Sequence, residues 1–368
     1  MHTVLESIAT ANPPFRLSRA DAVAFMSQLD NLSPPLRAKI PKIYAKSGID
    51  GRYTCIQDYL AEPPNFSFFP NNWQLTPPLG TQGRNQLYQS YAKKIAESAA
   101  VQALQEARLE PSSVTHLIII SCTGFSAPGL DVQLIQQLGL RADVDRTMIG
   151  FMGCYAAFNG LKTAHAICQS NPDAHVLLVC VELCTLHFQA EDSLESIVVN
   201  ALFGDGAAAA VLLPKSSDDA IGKLAYVDGY SLLANDTADL MSWTIGDTGF
   251  LMTLSSQVPN AIAQHLPAYL TTLLDRHSLT EAEIDFWAVH PGGRLILDQV
   301  QDLLQLADGT LQASYGVLRE YGNMSSGTIL FVLKRILAQR TSLQHGIAMA
   351  FGPGLTIEGC LFQQVGEQ

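Results

Sequence analysis

The sequence predicts an α/β fold built from two similar halves. Apolar runs of strand length alternate with longer segments of helical periodicity along most of the chain. The strand-length runs are apolar at consecutive positions, which is typical of parallel or central strands that are buried on both faces. The same alternation returns after a short polar break at Ser216–Asp219. We therefore expect an N-terminal half over residues 1–219, carrying a nucleophilic cysteine, and a C-terminal half over residues 220–368.

These patterns place the elements in order. In the first half we expect strands near Thr115–Ser121, Thr147–Phe151, His175–Leu183 and Ala207–Leu213, and helices near Gln86–Ala107, Leu130–Leu138, Cys154–Cys168 and Ile197–Phe203. In the second half we expect strands near Phe286–Val289, Ile347–Phe351 and Thr356–Phe362, and helices near Val258–His277, Leu295–Leu304 and Ser326–Ala338. The stretch Glu62–Arg84 is rich in Pro, Asn and Gly and has no sustained period, so it is predicted to be a surface excursion.

Composition excludes several classes of function. The 368 residues are 48% hydrophobic and 15% charged, and the longest apolar runs are far shorter than the about 20 residues of a membrane span. The N-terminus lacks a secretory signal, and the seven cysteines contain no CxxC pair, which predicts a cytoplasmic protein with reduced thiols and no metal site. A net charge of -12 argues against nucleic acid as the main partner, so an anionic substrate would need a local basic patch.

A glycine-rich turn leads into a helix of small residues at Cys154. The N-terminus of a helix presents unpaired N–H groups and a partial positive charge, and both favour the thiolate, which is the nucleophilic form of cysteine. The same pattern also fits a buried and inert cysteine. The surroundings of Cys154 alone leave both interpretations open.

Three further segments have the composition of site residues. An apolar strand ends at His290 before a Pro-Gly-Gly turn, and the ends of strands in α/β sheets are where sites form, although His290 also fits a structural role. Asn323 precedes a Ser- and Gly-rich helix start and also fits a helix cap. The segment Ala350–Glu358 contains a Gly-Pro-Gly turn between strands, which suits close backbone approach to a ligand or an ordinary hairpin.

In this order, the motifs resemble those of the type III polyketide synthases, the chalcone synthase-like family. The resemblance runs from about Lys39 to Glu358 and rests on Gly153-Cys, Leu202-Phe-Gly-Asp-Gly-Ala, His290-Pro-Gly-Gly, Tyr321-Gly-Asn-Met-Ser-Ser and Phe351-Gly-Pro-Gly-Leu-Thr-Ile. It implies the five-layered αβαβα thiolase-like fold, usually as a homodimer. It also implies a starter acyl-CoA and malonyl-CoA as substrates, with no metal or redox cofactor.

The resemblance implies a role for each of three residues. Cys154 would accept the starter acyl group as a thioester, held beforehand as a thiolate by an ion pair with His290. His290 and Asn323 would then donate hydrogen bonds to the thioester oxygen of malonyl-CoA as carbon dioxide leaves. The resulting carbanion would attack the Cys154 thioester, and the cycle would repeat before the chain cyclises.

Further residues receive roles from the same resemblance. Phe203 would be the gatekeeping aromatic between a CoA tunnel and the cavity, although it also fits a core position at a helix end. Lys39, Lys42 and Lys46 share one face of an early helix and would bind CoA phosphates, although such spacing is also common on a solvated face. Phe351, Gly352, Pro353 and Gly354 would form the cyclisation loop. The other implied cavity residues are Met252, Trp243, Cys122, Thr123, Cys184, His187 and Ser325.

Several of these positions depart from the plant pattern. Cys122, Cys184 and His187 stand where the plant enzymes mostly carry threonine, Met252 replaces a phenylalanine, and Trp243 replaces a glycine. Cys122 fits either an auxiliary thiol or an inert buried cysteine. These departures resemble the bacterial branch, which often makes alkylresorcinols or alkylpyrones, and they favour a medium- or long-chain fatty acyl starter.

Three alternatives stay open on the sequence alone. A ketoacyl synthase of the fatty-acid initiation type also uses Cys, His and Asn, but it typically carries His-Gln-Ala-Asn where this chain has His290-Pro-Gly-Gly, and it takes its extender from acyl carrier protein. A cysteine hydrolase shares the order Cys, His, Asn. A non-catalytic acyl-binding member of the fold is the third.

Overall fold

The computed structural model describes residues 1–339 and 344–366 and confirms the α/β fold class. Its strands are β1 (His2–Ala11), β2 (Phe15–Ser18), β3 (Gly51–Thr54), β4 (His116–Ser121), β5 (Asp145–Gly150), β6 (Val176–Leu183), β7 (Asp205–Lys215), β8 (Leu224–Leu233), β9 (Met241–Gly246), β10 (Gly249–Leu254), β11 (Phe286–Val289), β12 (His345–Gly352) and β13 (Thr356–Gln364).

Helices occupy most of the intervening chain. They are α1 (Arg19–Gln28), α2 (Pro34–Arg37), α3 (Ile40–Lys46), α4 (Thr81–Glu106), α5 (Leu130–Leu138), α6 (Ala156–Ser170), α7 (Leu194–Leu202), α8 (Ser217–Ala220), α9 (Val258–Asp275), α10 (Arg294–Leu303), α11 (Gln312–Tyr321) and α12 (Thr328–Gln339). No helix within the described residues is long and apolar enough to cross a membrane.

One mixed sheet runs through the molecule in the order β11-β12-β13-β8-β1-β7-β6-β4-β5. On one side of its centre, β7 runs antiparallel to both β6 and β1. On the other side, β13 runs antiparallel to both β12 and β8 in the same arrangement. The two groups of strands join where β1 meets β8. Each group is therefore built on the same plan, with its first strand at the centre of the molecule.

Three buried clusters of apolar side chains separate the layers. The first cluster lies between α4 and one face of the β1-to-β5 group, and the third lies between α9 and the far face of the β11-to-β8 group. The second cluster is formed around α6 and α12, which pack between the two groups of strands. From one side of the molecule to the other, the order is helix, strand group, helix, strand group, helix. These are the five layers that the resemblance implied.

The first strand of each group was missed by the sequence analysis. β1 and β8 contain polar residues such as Glu6 and Asp228 within their apolar stretches, so neither reads as a continuous apolar run. Their position at the centre of the sheet is a consequence of tertiary pairing. The predicted division between residues 219 and 220 falls within α8 and stays a prediction.

The segment predicted as a surface excursion is partly buried. Phe66, Phe68 and Phe69 enter the first cluster, where Phe66 and Phe69 pack around Phe25. The buried carboxylate of Asp58 accepts the backbone N–H groups of Phe68 and Phe69 at 2.7 and 2.8 Å. A carboxylate that accepts several backbone N–H groups organises a loop without helical or strand periodicity, so the sequence pattern did not reveal the burial.

Candidate active site

Cys154 lies in the connection between β5 and α6. Its helix begins two residues later than predicted, at Ala156, with Tyr155 as the N-cap residue. Gly153 has φ +82°, and a Cβ atom there would lie 2.5 Å from Cδ of Pro353. Only glycine therefore allows the loop that contains Pro353 to approach the turn before Cys154 so closely.

Asn323 is held on both sides by the backbone at the end of α7. Its N–H donates to the carbonyl of Leu202, and its carbonyl accepts from Gly204 N–H, both at 2.9 Å. The backbone N–H of Ser325 donates to Asn323 Oδ1 at 2.8 Å, as in the turn that was the alternative interpretation. This bond fixes the amide orientation, and the amide lies against Sγ of Cys154, with Nδ2 at 3.9 Å and Oδ1 at 4.0 Å. The Asn323 side chain thus both stabilises the turn, through Ser325 N–H, and contacts Cys154 in the candidate site.

His290 follows β11 and is fully enclosed, with 0% of its surface exposed. Its backbone N–H donates to Met349, and its carbonyl accepts from Gly292 N–H at 2.9 Å. Asn323 Nδ2 lies 3.3 Å from the carbonyl oxygen of Gly292, so the segment after His290 touches Asn323 directly. Neither ring nitrogen of His290 has a hydrogen-bond partner within residues 1–339 and 344–366. The imidazole is therefore a buried group whose hydrogen-bonding capacity no described residue uses.

Burial dominates the protonation of both groups. It raises the pKa of the Cys154 thiol to about 11, although hydrogen bonds from the Ser325 and Asn323 side chains act in the opposite direction. Burial also lowers the pKa of His290 to about 3. The helix starts two residues beyond Cys154, so the thiol lies farther from its N-terminal field than predicted, and the thiolate–imidazolium pair of Cys154 and His290 stays a prediction.

A buried carboxylate near the site, Glu182 in β6, was not singled out from the sequence. Its oxygens accept the backbone N–H of Cys122 at 2.9 Å, the hydroxyl of Thr123 at 2.8 Å and the hydroxyl of Ser326. Burial raises the pKa of Glu182 to about 7. The available signal was one acidic residue within an otherwise apolar strand.

Cys122 and Thr123, two of the residues predicted to line the cavity, also make structural contacts. Cys122 Sγ accepts the backbone N–H of Gly153 at 3.2 Å, which connects it to the turn that carries Cys154. Burial raises the pKa of the Cys122 thiol well above its usual value. Thr123 Oγ1 accepts the N–H of Leu183 at 2.9 Å. These contacts favour the inert interpretation of Cys122.

Two connected spaces surround the nucleophile. A small pocket of about 30 Å³ lies beside Cys154, and its lining includes Cys122, Thr123, Ser325 and Pro353. A larger cavity of about 250 Å³ lies next to it. The residues that line both spaces are Cys184, Phe203, Trp243 and Met252. The structure thus brings these predicted cavity residues together around one path from Cys154.

Trp243 lines both spaces and is held in place by its neighbours. Its indole N–H donates to the carbonyl of Cys122 at 2.8 Å, and its ring meets the His187 ring edge-on at 5.4 Å. His187 Nε2 donates to the carbonyl of Thr123 at 2.8 Å, and Nδ1 accepts Phe250 N–H at 3.0 Å. Burial lowers the pKa of His187 to about 4. His187 is therefore a neutral wall residue with both nitrogens in use.

The glycine-proline loop lies close to Cys154. A Cβ atom at Gly352 would lie 2.6 Å from Cδ1 of Tyr155, and Gly354 has φ +131°. Phe351 is buried in the third cluster, and Pro353 lines the small pocket.

The three lysines lie farther from the site. Lys39 is the N-cap residue of α3, and Lys42 and Lys46 lie within this helix. All three are exposed, and within the described part of the chain none of them forms an ion pair or lines either space. Because α3 packs on α7, which ends beside Phe203, the lysines lie on the outer side of the site.

Comparisons with known proteins agree with this geometry. The family model "Chalcone and stilbene synthases, N-terminal domain" matches residues 2–215, and its C-terminal counterpart matches residues 230–366. The protein "Alpha-pyrone synthesis polyketide synthase-like Pks18" of Mycobacterium tuberculosis is 32% identical over 98% of this chain and 90% of its own. "Polyketide synthase 37" of Dictyostelium discoideum is 33% identical over 99% of this chain, which spans 12% of that protein.

Solved structures are similar over nearly the whole chain. The crystal structure of PKS-I from the brown alga Ectocarpus siliculosus has a TM-score of 0.94 and 34% identity, with 99% of this chain and 98% of that chain covered. A type III pentaketide synthase from Neurospora crassa has a TM-score of 0.85 and 25% identity, with 98% and 99% covered.

The protonation state of Cys154 can be measured directly. Because its pKa lies near 11, the rate of iodoacetamide labelling should rise about tenfold per pH unit from pH 7 to pH 9.5 without levelling off. Intact-protein mass spectrometry measures this rate, and Cys154→Ala reports labelling of the other cysteines. A plateau below pH 9 would show instead a thiolate already paired with a charged imidazole.

Proposed function

Since the chain belongs to the chalcone and stilbene synthase family, the type III polyketide synthases, we propose that Cys154, His290 and Asn323 carry out its decarboxylative condensation. Members of this family are decarboxylating condensing acyltransferases. Membership in it rules out the ketoacyl synthase and hydrolase alternatives. One observation carries the assignment of residues. The amide of Asn323, oriented by Ser325 N–H, lies against Cys154 Sγ, and its Nδ2 also contacts the segment that follows His290.

Loading starts from two neutral groups. As Cys154 Sγ attacks the thioester carbonyl of the starter acyl-CoA, its proton passes to the unpartnered imidazole of His290. The carbon–sulfur bond to CoA then breaks, and His290 returns the proton to the departing CoA sulfur. The acyl group is left on Cys154 as a thioester, and His290 is neutral again.

Extension uses the same imidazole as a hydrogen-bond donor. A neutral His290 and Asn323 Nδ2 donate to the thioester oxygen of malonyl-CoA, where negative charge develops as the bond to the carboxylate breaks and carbon dioxide leaves. The α-carbon of the resulting enolate attacks the Cys154 thioester and releases the Cys154 sulfur. The extended chain returns to Cys154 for the next cycle. These steps need no metal or redox cofactor.

Asn323 provides a test that separates the two stages. Replacing Asn323 with Ala removes one oxyanion donor, so decarboxylation of malonyl-CoA should slow by about 100-fold, equivalent to about 3 kcal/mol. Acylation of Cys154 by the starter should change much less, because the thiol and imidazole remain. Carbon dioxide release and intact-protein mass report the two stages separately. Asn159→Ala, which changes a part-buried asparagine on α6, serves as control, and equal loss of both stages would contradict the assignment.

We propose a medium- or long-chain fatty acyl starter and an alkylresorcinol or alkylpyrone product. The pocket beside Cys154 is too small for a long chain, whereas the cavity beyond Trp243 and Met252 has a volume of about 250 Å³. The unbranched Met252 side chain can change rotamer and widen the passage between them. Alpha-pyrone synthesis in the printed name of the mycobacterial relative is consistent with one of these products.

A panel of starters tests this proposal. With malonyl-CoA, kcat/KM should be higher for octanoyl-, lauroyl- and palmitoyl-CoA than for acetyl- or benzoyl-CoA. Replacing Trp243 with Gly should shift the products to greater total length, because the wall beside the small pocket is removed. Mass spectrometry identifies the products. Much faster turnover of short or aromatic starters than of medium- and long-chain acyl-CoAs would contradict the fatty acyl proposal.

Three further assignments belong to this proposal. Lys39, Lys42 and Lys46 would attract CoA phosphates in an otherwise acidic protein, and the site would act in the cytoplasm. A homodimer is supported by β5, which forms the outer edge of the sheet and exposes 45% of Met148. Sedimentation velocity that gives a single species near 39.8 kDa would contradict the dimer.

A further inference from the structure

Arg52 in β3 is a buried arginine that the condensation mechanism does not use. Only 5% of its surface is exposed. Its Nε and Nη1 atoms have no hydrogen-bond partner, and it forms no ion pair with any described residue. An arginine side chain stays protonated at neutral pH, so the protein encloses a positive charge without a bonded counterion. Such a charge is costly unless a ligand completes its environment.

A second buried arginine shows how this chain satisfies a structural guanidinium. Arg84 Nη1 donates to the carbonyls of Leu186 and Phe188, and Nε donates to that of Leu79, at 2.7 to 2.8 Å. Arg52 has no equivalent contacts. The contrast separates a guanidinium that holds backbone together from one whose donors are free for a ligand.

The groups nearest to Arg52 do not neutralise it. Its guanidinium carbon lies 5.9 Å from the ring centre of Tyr44, and the guanidinium also interacts with the Tyr44 hydroxyl, whose pKa it lowers against the larger effect of burial. The buried carboxylate of Asp205 already accepts the N–H of Cys55 and both the N–H and hydroxyl of Thr185. Within the described residues, Arg52 thus has no carboxylate partner, and its Nε and Nη1 atoms have no bonded acceptor.

Arg52 lies on the wall of the 250 Å³ cavity, together with Tyr59 and Phe203. The walls of this cavity and of the Cys154 pocket share Cys184, Phe203, Trp243 and Met252. An acyl chain attached to Cys154 that passes Phe203 therefore enters the space that Arg52 lines. Arg52 and Cys154 therefore line two adjacent spaces that have four wall residues in common.

We propose that Arg52 is a binding subsite for a planar pair of anionic oxygens on the acyl chain carried by Cys154. The fork of N–H donors on a guanidinium matches a carboxylate, and it also matches the two oxygens of a 1,3-dicarbonyl enolate. The first group is present on a starter with a terminal carboxylate. The second arises within the chain, apart from the thioester carbonyl, on any starter after two extensions. This inference rests on the proposed function, because it assumes that Cys154 carries the growing chain.

The first arm of the test measures binding without condensation. Calorimetry compares octanoyl-CoA with suberoyl-CoA, which adds a terminal carboxylate, on Cys154→Ala protein with and without Arg52→Met. If the carboxylate is the ligand, suberoyl-CoA should bind at least about tenfold more tightly, and Arg52→Met should abolish this difference. This arm remains informative even if the protein does not condense malonyl-CoA.

The second arm measures the growing chain on the enzyme with Cys154 intact. With octanoyl-CoA and malonyl-CoA, Arg52→Met should lower the ratio of products with two or more extensions to the single-extension product by at least about tenfold, while the rate of Cys154 acylation stays within about twofold. Arg52→Lys should retain part of the effect because it keeps the charge but loses the fork. Arg16→Met, an exposed arginine on the neighbouring strand β2, is the matched control.

Together, the two arms distinguish a terminal carboxylate from a 1,3-dicarbonyl as the ligand of Arg52, and both from a purely structural role of Arg52. A change in the first arm identifies a terminal carboxylate, and a change in the second alone identifies the 1,3-dicarbonyl. The Tm of Arg52→Met should be unchanged or higher, whereas Arg84→Met should lower it because three carbonyl acceptors lose their donor. The proposal is overturned if neither arm responds to Arg52→Met, or if its Tm and Cys154 acylation fall together.

Discussion

The pair of main-chain hydrogen bonds that joins Asn323 to Leu202 and Gly204 is the constraint on which the site depends. It fixes Phe203, which lies between these two residues, against the segment that supplies the amide. The same attachment orients Asn323 towards Cys154, and Gly153 permits the opposite side of the pocket to close with Pro353. Nucleophile, amide and gatekeeping aromatic are thus positioned by backbone contacts between segments about 120 to 170 residues apart in sequence. Side-chain identity alone could not hold them there.

The burial of Cys154 and His290 also has an electrostatic consequence. Desolvation raises the pKa of Cys154 and lowers that of His290, which favours a neutral thiol and a neutral imidazole and, in the proposed mechanism, a proton transfer during acyl loading. A neutral imidazole with free nitrogens can first accept that proton and later donate a hydrogen bond to the oxygen of malonyl-CoA. The unpartnered His290 and the unpartnered Arg52 are alike in this respect. Both are buried groups whose hydrogen-bonding capacity the chain leaves for a bound substrate.

Much of the fold followed from the sequence because its buried strands and amphipathic helices have clear patterns. Strands such as β4 and β6 are apolar along their length, and helices such as α5 show a regular apolar face. The pattern failed at β1 and β8, whose polar residues interrupt it, although these strands join the two groups. It also failed in the Pro-rich segment, where Asp58 organises buried aromatic residues through backbone bonds. In the first failure a distant strand decided the structure, and in the second a buried carboxylate 10 residues away in sequence did.

The order of Cys154, His290 and Asn323 with their glycine-rich neighbours determined the family from sequence alone, because each motif combines a reactive side chain with the backbone freedom it needs. Tertiary structure decided the rest. It placed the start of α6 beyond Cys154, raised the pKa of the thiol through burial, used both nitrogens of His187 in the wall and left Nε and Nη1 of Arg52 without a partner among the described residues. Desolvation and hydrogen-bond partners depend on which distant segments surround a group, and neither can be read from local sequence.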